Sequence, residues 1–226
     1  MARVVNVDCG GRAQRRHRFG FTWRFARGLH KNCLLVTVLE VVNAVMPNPL
    51  HLSIAELEAG LKALSQPSKD SGRVVMIVCR RAPGAHESVQ QVHLSIDDGV
   101  TGDEWKRRAG KLDAQITVIR RDVSALISNG QPLTTSGDNL IVDFDISAEN
   151  LPVGTRLRVG KAVVEMTPLP HNGCKKFAAR FGKDAVIFCQ APPTRHLNLR
   201  GIHWKVIEPG EVRVGDTIQV LSRPKP

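Results

Sequence analysis

From Val74 onward the chain is cut into short apolar runs, and nearly every join between them contains Gly, Pro or Asn. Val74-Val-Met-Ile-Val78 is a compact run of mostly β-branched residues, and residues 89–96 alternate; Pro83-Gly84 and Asp98-Gly99 bound them. Residues 113–119, 139–143, 156–159, 162–167, 186–190, 204–207 and 217–221 have the same character and are expected to be further strands. Many short strands at close spacing with few helices predict a mainly β (α+β) fold, a barrel or sandwich carrying helical insertions. Val153-Gly-Thr-Arg-Leu-Arg-Val159 and Val214-Gly-Asp-Thr-Ile-Gln-Val220 resemble each other. Each puts a Gly turn before an alternating strand, as expected where a barrel strand turns a corner.

Helical signals are few. Ser53-Ile-Ala-Glu56 has the spacing of a capping box, and Ile54, Leu57, Leu61 and Leu64 recur at helical spacing, so an amphipathic helix over 53–65 precedes the strands. Residues 124–127 are expected to be helical as well. At 226 residues, 42% of them hydrophobic, the chain can bury one sizeable core. The longest apolar run, 33–46, is broken by Thr37, Glu40 and Asn43, short of the roughly 20 residues that a membrane helix needs. Neither a membrane nor nucleic acid is expected as a partner: with three Trp, seven Phe and no Tyr, the chain lacks the aromatics used to stack single strands.

The net charge of +11 is uneven. Residues 1–46 hold eight Lys/Arg against Asp8 and Glu40, and the stretch 12–31 contains no acid. This segment reads as an organelle-targeting presequence, a basic arm for nucleic acid, or translated sequence upstream of a true start at Met46. We treat it as a basic extension, disordered or not native, and residues 47–226 as a single domain. Five scattered cysteines without a C-x-x-C pair suggest reduced thiols and a cytoplasmic location, and give no framework for structural zinc.

Reactive groups concentrate in one stretch, Thr167-Pro-Leu-Pro-His-Asn-Gly-Cys-Lys-Lys-Phe-Ala-Ala-Arg-Phe-Gly182. Pro168, Pro170 and Gly173 keep the approach irregular, and the residues after Cys174 form a helix that Gly182 should end. Phe177, Ala178 and Phe181 share a face that should be buried, leaving Lys175, Lys176 and Arg180 near solvent. Cys174 thus lies at a helix start, beside two lysines and three residues after His171; each feature favours the thiolate. A thiolate binds soft metals or carries sulfane sulfur. Cys79 and Cys189, inside apolar runs, read as packing residues. Cys174 and Arg180 also share the Cys-x5-Arg spacing of cysteine-dependent phosphatases. The intervening Lys-Lys-Phe-Ala-Ala favours helix over the Gly-rich loop that such enzymes need, so the match is read as coincidence.

Pro170-His-Asn-Gly-Cys-Lys-Lys-Phe-Ala-Ala-Arg-Phe-Gly-Lys-Asp-Ala185 resembles the central motif of MOSC-domain proteins, the family named after the C-terminal domain of molybdenum cofactor sulfurase. Gly99-Val-Thr-Gly-Asp-Glu-Trp105, Gly137-Asp-Asn-Leu-Ile-Val-Asp143, Asn150-Leu-Pro-Val-Gly-Thr155, Leu199-Arg-Gly201 and Gly210-Glu-Val-Arg-Val-Gly-Asp216 match in order. The resemblance implies a β-barrel-like MOSC fold and a cysteine that ligates molybdenum or carries a persulfide. By that analogy Cys174 is the metal ligand or persulfide carrier; His171, three residues before it, is expected from its proximity to be a catalytic group. The chain would bind molybdenum cofactor (Mo-molybdopterin) as the molybdenum subunit of a reductase for N-hydroxylated compounds, or alternatively carry sulfur without metal. Expected cofactor contacts are Asn172, Gly173, Asp138 and Asn139, with Lys175, Lys176, Arg180, Arg195 and Arg200 as cations for the anionic pterin. Electrons or sulfur would come from a separate electron-donor or cysteine desulfurase protein, because neither a ferredoxin-like nor a pyridoxal-phosphate domain is attached; the substrate would be a small molecule.

Overall fold

A computed structural model describes residues 51–108 and 110–224. The expectations for residues 1–46 lie outside the described residues. Eleven strands are described: β1 (Ser71–Arg81), β2 (Ala85–Val89), β3 (Gln91–Ser95), β4 (Gly99–Val100), β5 (Ile116–Arg120), β6 (Leu140–Asp143), β7 (Arg156–Val159), β8 (Ala162–Met166), β9 (Ile202–Glu208), β10 (Gly210–Arg213) and β11 (Thr217–Ser222). The helices are α1 (Ile54–Ala63), α2 (Arg121–Ser128) and α3 (Lys175–Gln190).

Seven strands close into a barrel in the order β11-β7-β8-β9-β5-β6-β1, with β1 returning to β11 through Ser71↔Gln219 to Arg73↔Thr217. A long β1 makes this possible. Its first residues pair with β11, residues 73–77 pair with β6 across an irregularity at Val74/Met76, and its second half carries β2. All barrel pairings are antiparallel except β5–β6, which is parallel because α2 crosses between those strands. A small sheet, β10-β3-β4, lies beside it.

Alternation decides what points inward: in β7, Leu157 and Val159 are buried while Arg156 and Arg158 are exposed. Ile77, Ile116, Val118, Leu140, Phe144, Val164, Trp204 and Ile218 fill the interior, so the barrel is a packed core rather than a channel. At about 1.5–3 kcal/mol for each large apolar side chain buried, this interior is the main source of stability. The two similar Gly-turn segments supply neighbouring strands: Leu157 faces Val220 and Val159 faces Ile218, with Gly154 at φ 86° and Gly215 at φ 91° before them.

A second core lies among the helices, where Leu57, Val123, Ile127, Phe177, Phe181, Ala185 and Phe188 meet. The capping box forms: Ser53 N–H donates to Glu56 Oε2 (2.8 Å), and Ser53 Oγ accepts from Glu56 N–H. Gly60 permits the close approach of α1 to α2, since a Cβ there would lie 2.3 Å from Leu126 Cδ1.

Two local expectations fail, and a third holds with an addition. Residues 186–190 form no strand; they are the second limb of α3, where Phe181, Ala185, Phe188 and Cys189 recur at helical spacing on the buried face. A five-residue apolar run carries too little periodicity to separate the two readings. Gly182 ends the first helical limb as expected, taking φ 88° and ψ 163°, and a second limb follows it at once. Residues 89–96 are not one strand: the chain bends at Gln90, sending β2 to the barrel and β3 to the small sheet.

Candidate functional site

One end of the barrel gathers the reactive residues. The C-terminal end of β8, the starts of β6 and β9, and the second half of β1 converge there, and the loop from Thr167 to Gly173 runs across it. Two clamps hold this proline-rich loop. On the barrel side, Thr167 N–H donates to the His203 carbonyl (3.1 Å), and His203 Nδ1–H donates to the Leu169 carbonyl (3.0 Å). On the other side the second limb of α3 folds against Gly173, where Gln190 Nε2 donates to its carbonyl (3.4 Å) and a Cβ would meet Val186 at 3.1 Å.

Cys174 follows, at the N-cap of α3 in extended conformation (φ −111°, ψ 175°). Its thiol is exposed and makes no capping hydrogen bond. Lys175 and Lys176 are exposed on the first turn, as expected, and neither pairs with an acid among the described residues. Phe177 and Phe181 are buried, whereas Arg180, expected near solvent, is half-buried and turned inward, its Nη1 donating to the Ser136 carbonyl (3.2 Å).

Beneath the loop lies a buried polar floor. Asp138 is 1% exposed and accepts from Arg200 Nη1 at 2.9 and 3.0 Å; the Arg200 guanidinium in turn lies 4.5 Å above the Phe177 ring. His171 Nδ1 stands 3.7 Å from Asp138 Oδ1, beyond hydrogen-bond distance, and the His171 and His203 rings pack at 4.4 Å. Burial, with the Arg200 cation next in effect, holds His171 well below the usual histidine value, so its ring is neutral at physiological pH. Burial likewise lowers His203. Gly201, at φ 103°, is required here: a Cβ would lie 2.2 Å from the Val118 carbonyl and 3.2 Å from His171 Nδ1.

Asn139 is fully engaged. Its Oδ1 accepts from the Thr117 N–H, the Thr117 hydroxyl and Arg80 Nη2, and its Nδ2 donates to the Val78 carbonyl and Asp103 Oδ2. Asp103 also accepts from the Arg80 guanidinium (2.7 Å) and from the Arg80 and Trp105 N–H groups. Burial would raise the Asp103 carboxyl, but Arg80 and these donors together hold it below the ordinary value.

A pocket of about 520 Å³ opens beside the loop, lined by His171, Asn172, Gly173, Cys189, Gln190, Arg195 and Arg200 among others. Among the described residues no acidic side chain lines it. Arg195 is exposed and supplies a cation with no acidic partner among the described residues; its guanidinium reaches the Gln190 carbonyl at 3.5 Å. Cys189 lines the same pocket as a protonated thiol, pushed up to about 12 by burial. Arg200 Nε and His171 Nδ1 are buried without a hydrogen-bond partner. Among the described residues no group of three or more His, Cys, Asp and Glu could hold a bare metal ion.

The structure therefore groups His171, Asn172, Gly173, Arg195 and Arg200 around the pocket, with Cys174 next along the chain from Gly173. Asp138 and Asn139 lie in the floor, and Lys175 and Lys176 outside on the helix surface. Sequence reasoning missed Arg80, His86, Asp103 and His203. Each lies on or near a strand where it looks like an ordinary polar residue, and only barrel closure brings it to the mouth.

Among solved structures, the chain is similar to a hypothetical protein (TM-score 0.50, 22% identity, covering 68% of this chain and 69% of that one). It is also similar to the YuaD protein of Bacillus subtilis (TM-score 0.50, 16% identity, 68% and 97%) and to YiiM of Escherichia coli (TM-score 0.47, 20% identity, 68% and 72%). At such identities the first two likenesses speak for the fold alone. A search of curated proteins gave no match. A family model of the MOSC domain matches residues 106–219, half of the chain, from just before β5 through the Cys174 loop and into β11. With a closed β-barrel that carries a cysteine loop across its mouth, the chain belongs to the MOSC-domain family.

Proposed function

We propose that the chain binds a molybdenum–pterin cofactor at this mouth through Cys174 and serves as the molybdenum subunit of a reductase for N-hydroxylated compounds. The observation that carries the reading is the exposed Cys174 thiol, next in sequence to Gly173 in the wall of a pocket that no acid lines. The donor set fits such a group. A dithiolene brings its own sulfur ligands, so the protein need supply one soft thiolate rather than a cluster of side chains. An acid-free pocket with Arg195 at its edge suits an anionic pterin. When bound, the group supplies a redox centre for oxygen-atom transfer.

The chain's own residues bind and orient. Lys175 and Lys176 next to the thiol and Arg195 at the pocket edge carry positive charge with no acidic partner among the described residues, available to an anionic group bound there. Arg200, with its charge matched by Asp138, braces the floor and, through Phe177, the first turn of α3. Asn172 and Gly173 form the pocket wall next to the sulfur. His171, neutral and with its Nδ1 3.7 Å from Asp138 Oδ1, stands in the pocket wall where it can hydrogen-bond a bound group. Electrons would come from a separate donor protein.

The exposure of Cys174 also favours one other reading, a persulfide carrier that a desulfurase can reach directly. Analysis of protein made in a cofactor-synthesising host separates the two. Molybdenum and pterin in stoichiometric amount support the first, cyanide-labile sulfur without molybdenum supports the second, and neither present overturns both.

A further inference from the structure

Arg180 and His86 both lie against Gly137, outside the pocket proposed for the cofactor. Arg180, like Arg195 at the rim, has no acidic partner among the described residues, but unlike Arg195 it is half-buried. Arg80 is paired with Asp103 and Arg200 with Asp138, but the side-chain contact of Arg180 is the Ser136 carbonyl, and no acid pairs with it among the described residues. It is also held in place: its own carbonyl accepts from His51 Nε2 (3.1 Å) and Gln131 Nε2 (3.3 Å), two residues before the break in α3.

The tautomer of His86 is fixed by its neighbour. Its Nδ1 lies 2.7 Å from the Thr134 carbonyl, which can only accept, so Nδ1 carries the proton. Burial, then the Arg180 and Arg80 cations, keep the ring neutral against the Thr134 carbonyl and Asp138, which act the other way. Nε2 is therefore a lone-pair acceptor, and it has no hydrogen-bond partner among the described residues. Gly137, at φ 73°, brings the two groups together: a Cβ there would lie 2.9 Å from His86 Nε2 and 3.4 Å from Arg180 Nη1.

We propose that Arg180 and His86 together bind a hydrogen-phosphate group, an oxyanion that still carries a proton. A fixed cation beside a fixed acceptor selects a ligand with an anionic oxygen and an O–H on adjacent atoms. Hydrogen phosphate has both at neutral pH. Sulfate has no proton to give, and a phosphate monoester, whose second pKa is about 6, has lost its own. The ligand is thus distinct from the monoester phosphate of a pterin cofactor, and the inference stands whether or not that cofactor binds.

Titration calorimetry of the full chain at neutral pH, with inorganic phosphate, sulfate and methyl phosphate as probes, tests this. Phosphate is expected to bind about tenfold or more tightly than either competitor, the worth of one hydrogen bond gained against a lone-pair clash. His86→Ala should bring phosphate down to the level of sulfate, and Arg180→Gln should weaken all three anions by about tenfold or more. In the unaltered protein, phosphate should shift the ¹⁵N resonance of His86 Nε2, a readout that needs no variant to fold. Equal affinity for phosphate and sulfate, an unmoved His86 resonance, or no phosphate binding at all would overturn the proposal.

Discussion

Asp138, Asn139 and Asp103, in the floor of the barrel mouth, differ from Lys175, Lys176 and Arg195 at its rim in what their polar atoms do. In the floor the carboxylates and Asn139 are matched within the protein, with Arg200 Nε and His171 Nδ1 left over: Asp103 accepts from Arg80, Trp105 and Asn139, while Asp138 matches Arg200. At the rim, the cations have no acidic partner among the described residues and the Cys174 thiol is bare. A matched polar group contributes rigidity and can give little to a ligand; an unmatched one contributes little to stability and remains available. The floor should therefore govern whether the protein folds, and the rim what it carries.

The largest expected effect breaks the floor. Asp103→Ala strips the partner from a largely buried guanidinium and leaves several donors unmet, so it should cost about 3–5 kcal/mol by urea unfolding. Because the Asp103 carboxyl is held below its ordinary value, its contribution is complete above the unfolded carboxylate range and is lost as pH falls through the lower folded value. Gly201→Ala should come next, at about 2–4 kcal/mol, combining overpacking against the Val118 carbonyl with a left-handed backbone. A rim-sized effect from either change would mean that the floor is softer than its hydrogen bonds imply.

A smaller effect belongs to the buried imidazoles. His171, His203 and His86 are all lowered in the folded state, so each binds a proton more readily when unfolded. Stability should then fall as pH drops below about 6.5, by up to about 1.4 kcal/mol per pH unit for each ring that titrates. Thermal melts between neutral and mildly acidic pH should show this slope, and His171→Phe should flatten it. An unchanged slope would place the buried titration elsewhere.

How far the sequence revealed these regions follows from the range of the interactions involved. The capping box at Ser53, the Gly turns before β7 and β11 and the helix after Cys174 depend on residues a few positions apart, so spacing exposes them. The rim was legible for the same reason, since Cys174, Lys175 and Lys176 are contiguous. The floor was not: Arg80 meets Asn139 across 59 positions and Arg200 meets Asp138 across 62, contacts that exist only once the barrel closes. Cys189 was legible as buried but not as helical or pocket-lining, because its register depends on the break at Gly182.

The smallest expected effect on stability belongs to the rim. Lys175→Gln and Lys176→Gln should each stay within about 0.5 kcal/mol of the parent, as exposed substitutions without packing contacts do. Both together should still weaken retention of an anionic ligand at the thiol, more so at low salt. A stability loss comparable to that of Asp103→Ala would erase the distinction between rim and floor.

The most direct measurement is the molybdenum and cyanide-labile sulfur content of Cys174→Ala, purified beside the parent chain from the same cofactor-synthesising host, with thermal midpoints taken on both. The account expects the variant to melt with the parent and to carry neither molybdenum nor labile sulfur where the parent carries one of them. A variant that retains the parent's full load would show that Cys174 is not the carrier and would contradict the central claim.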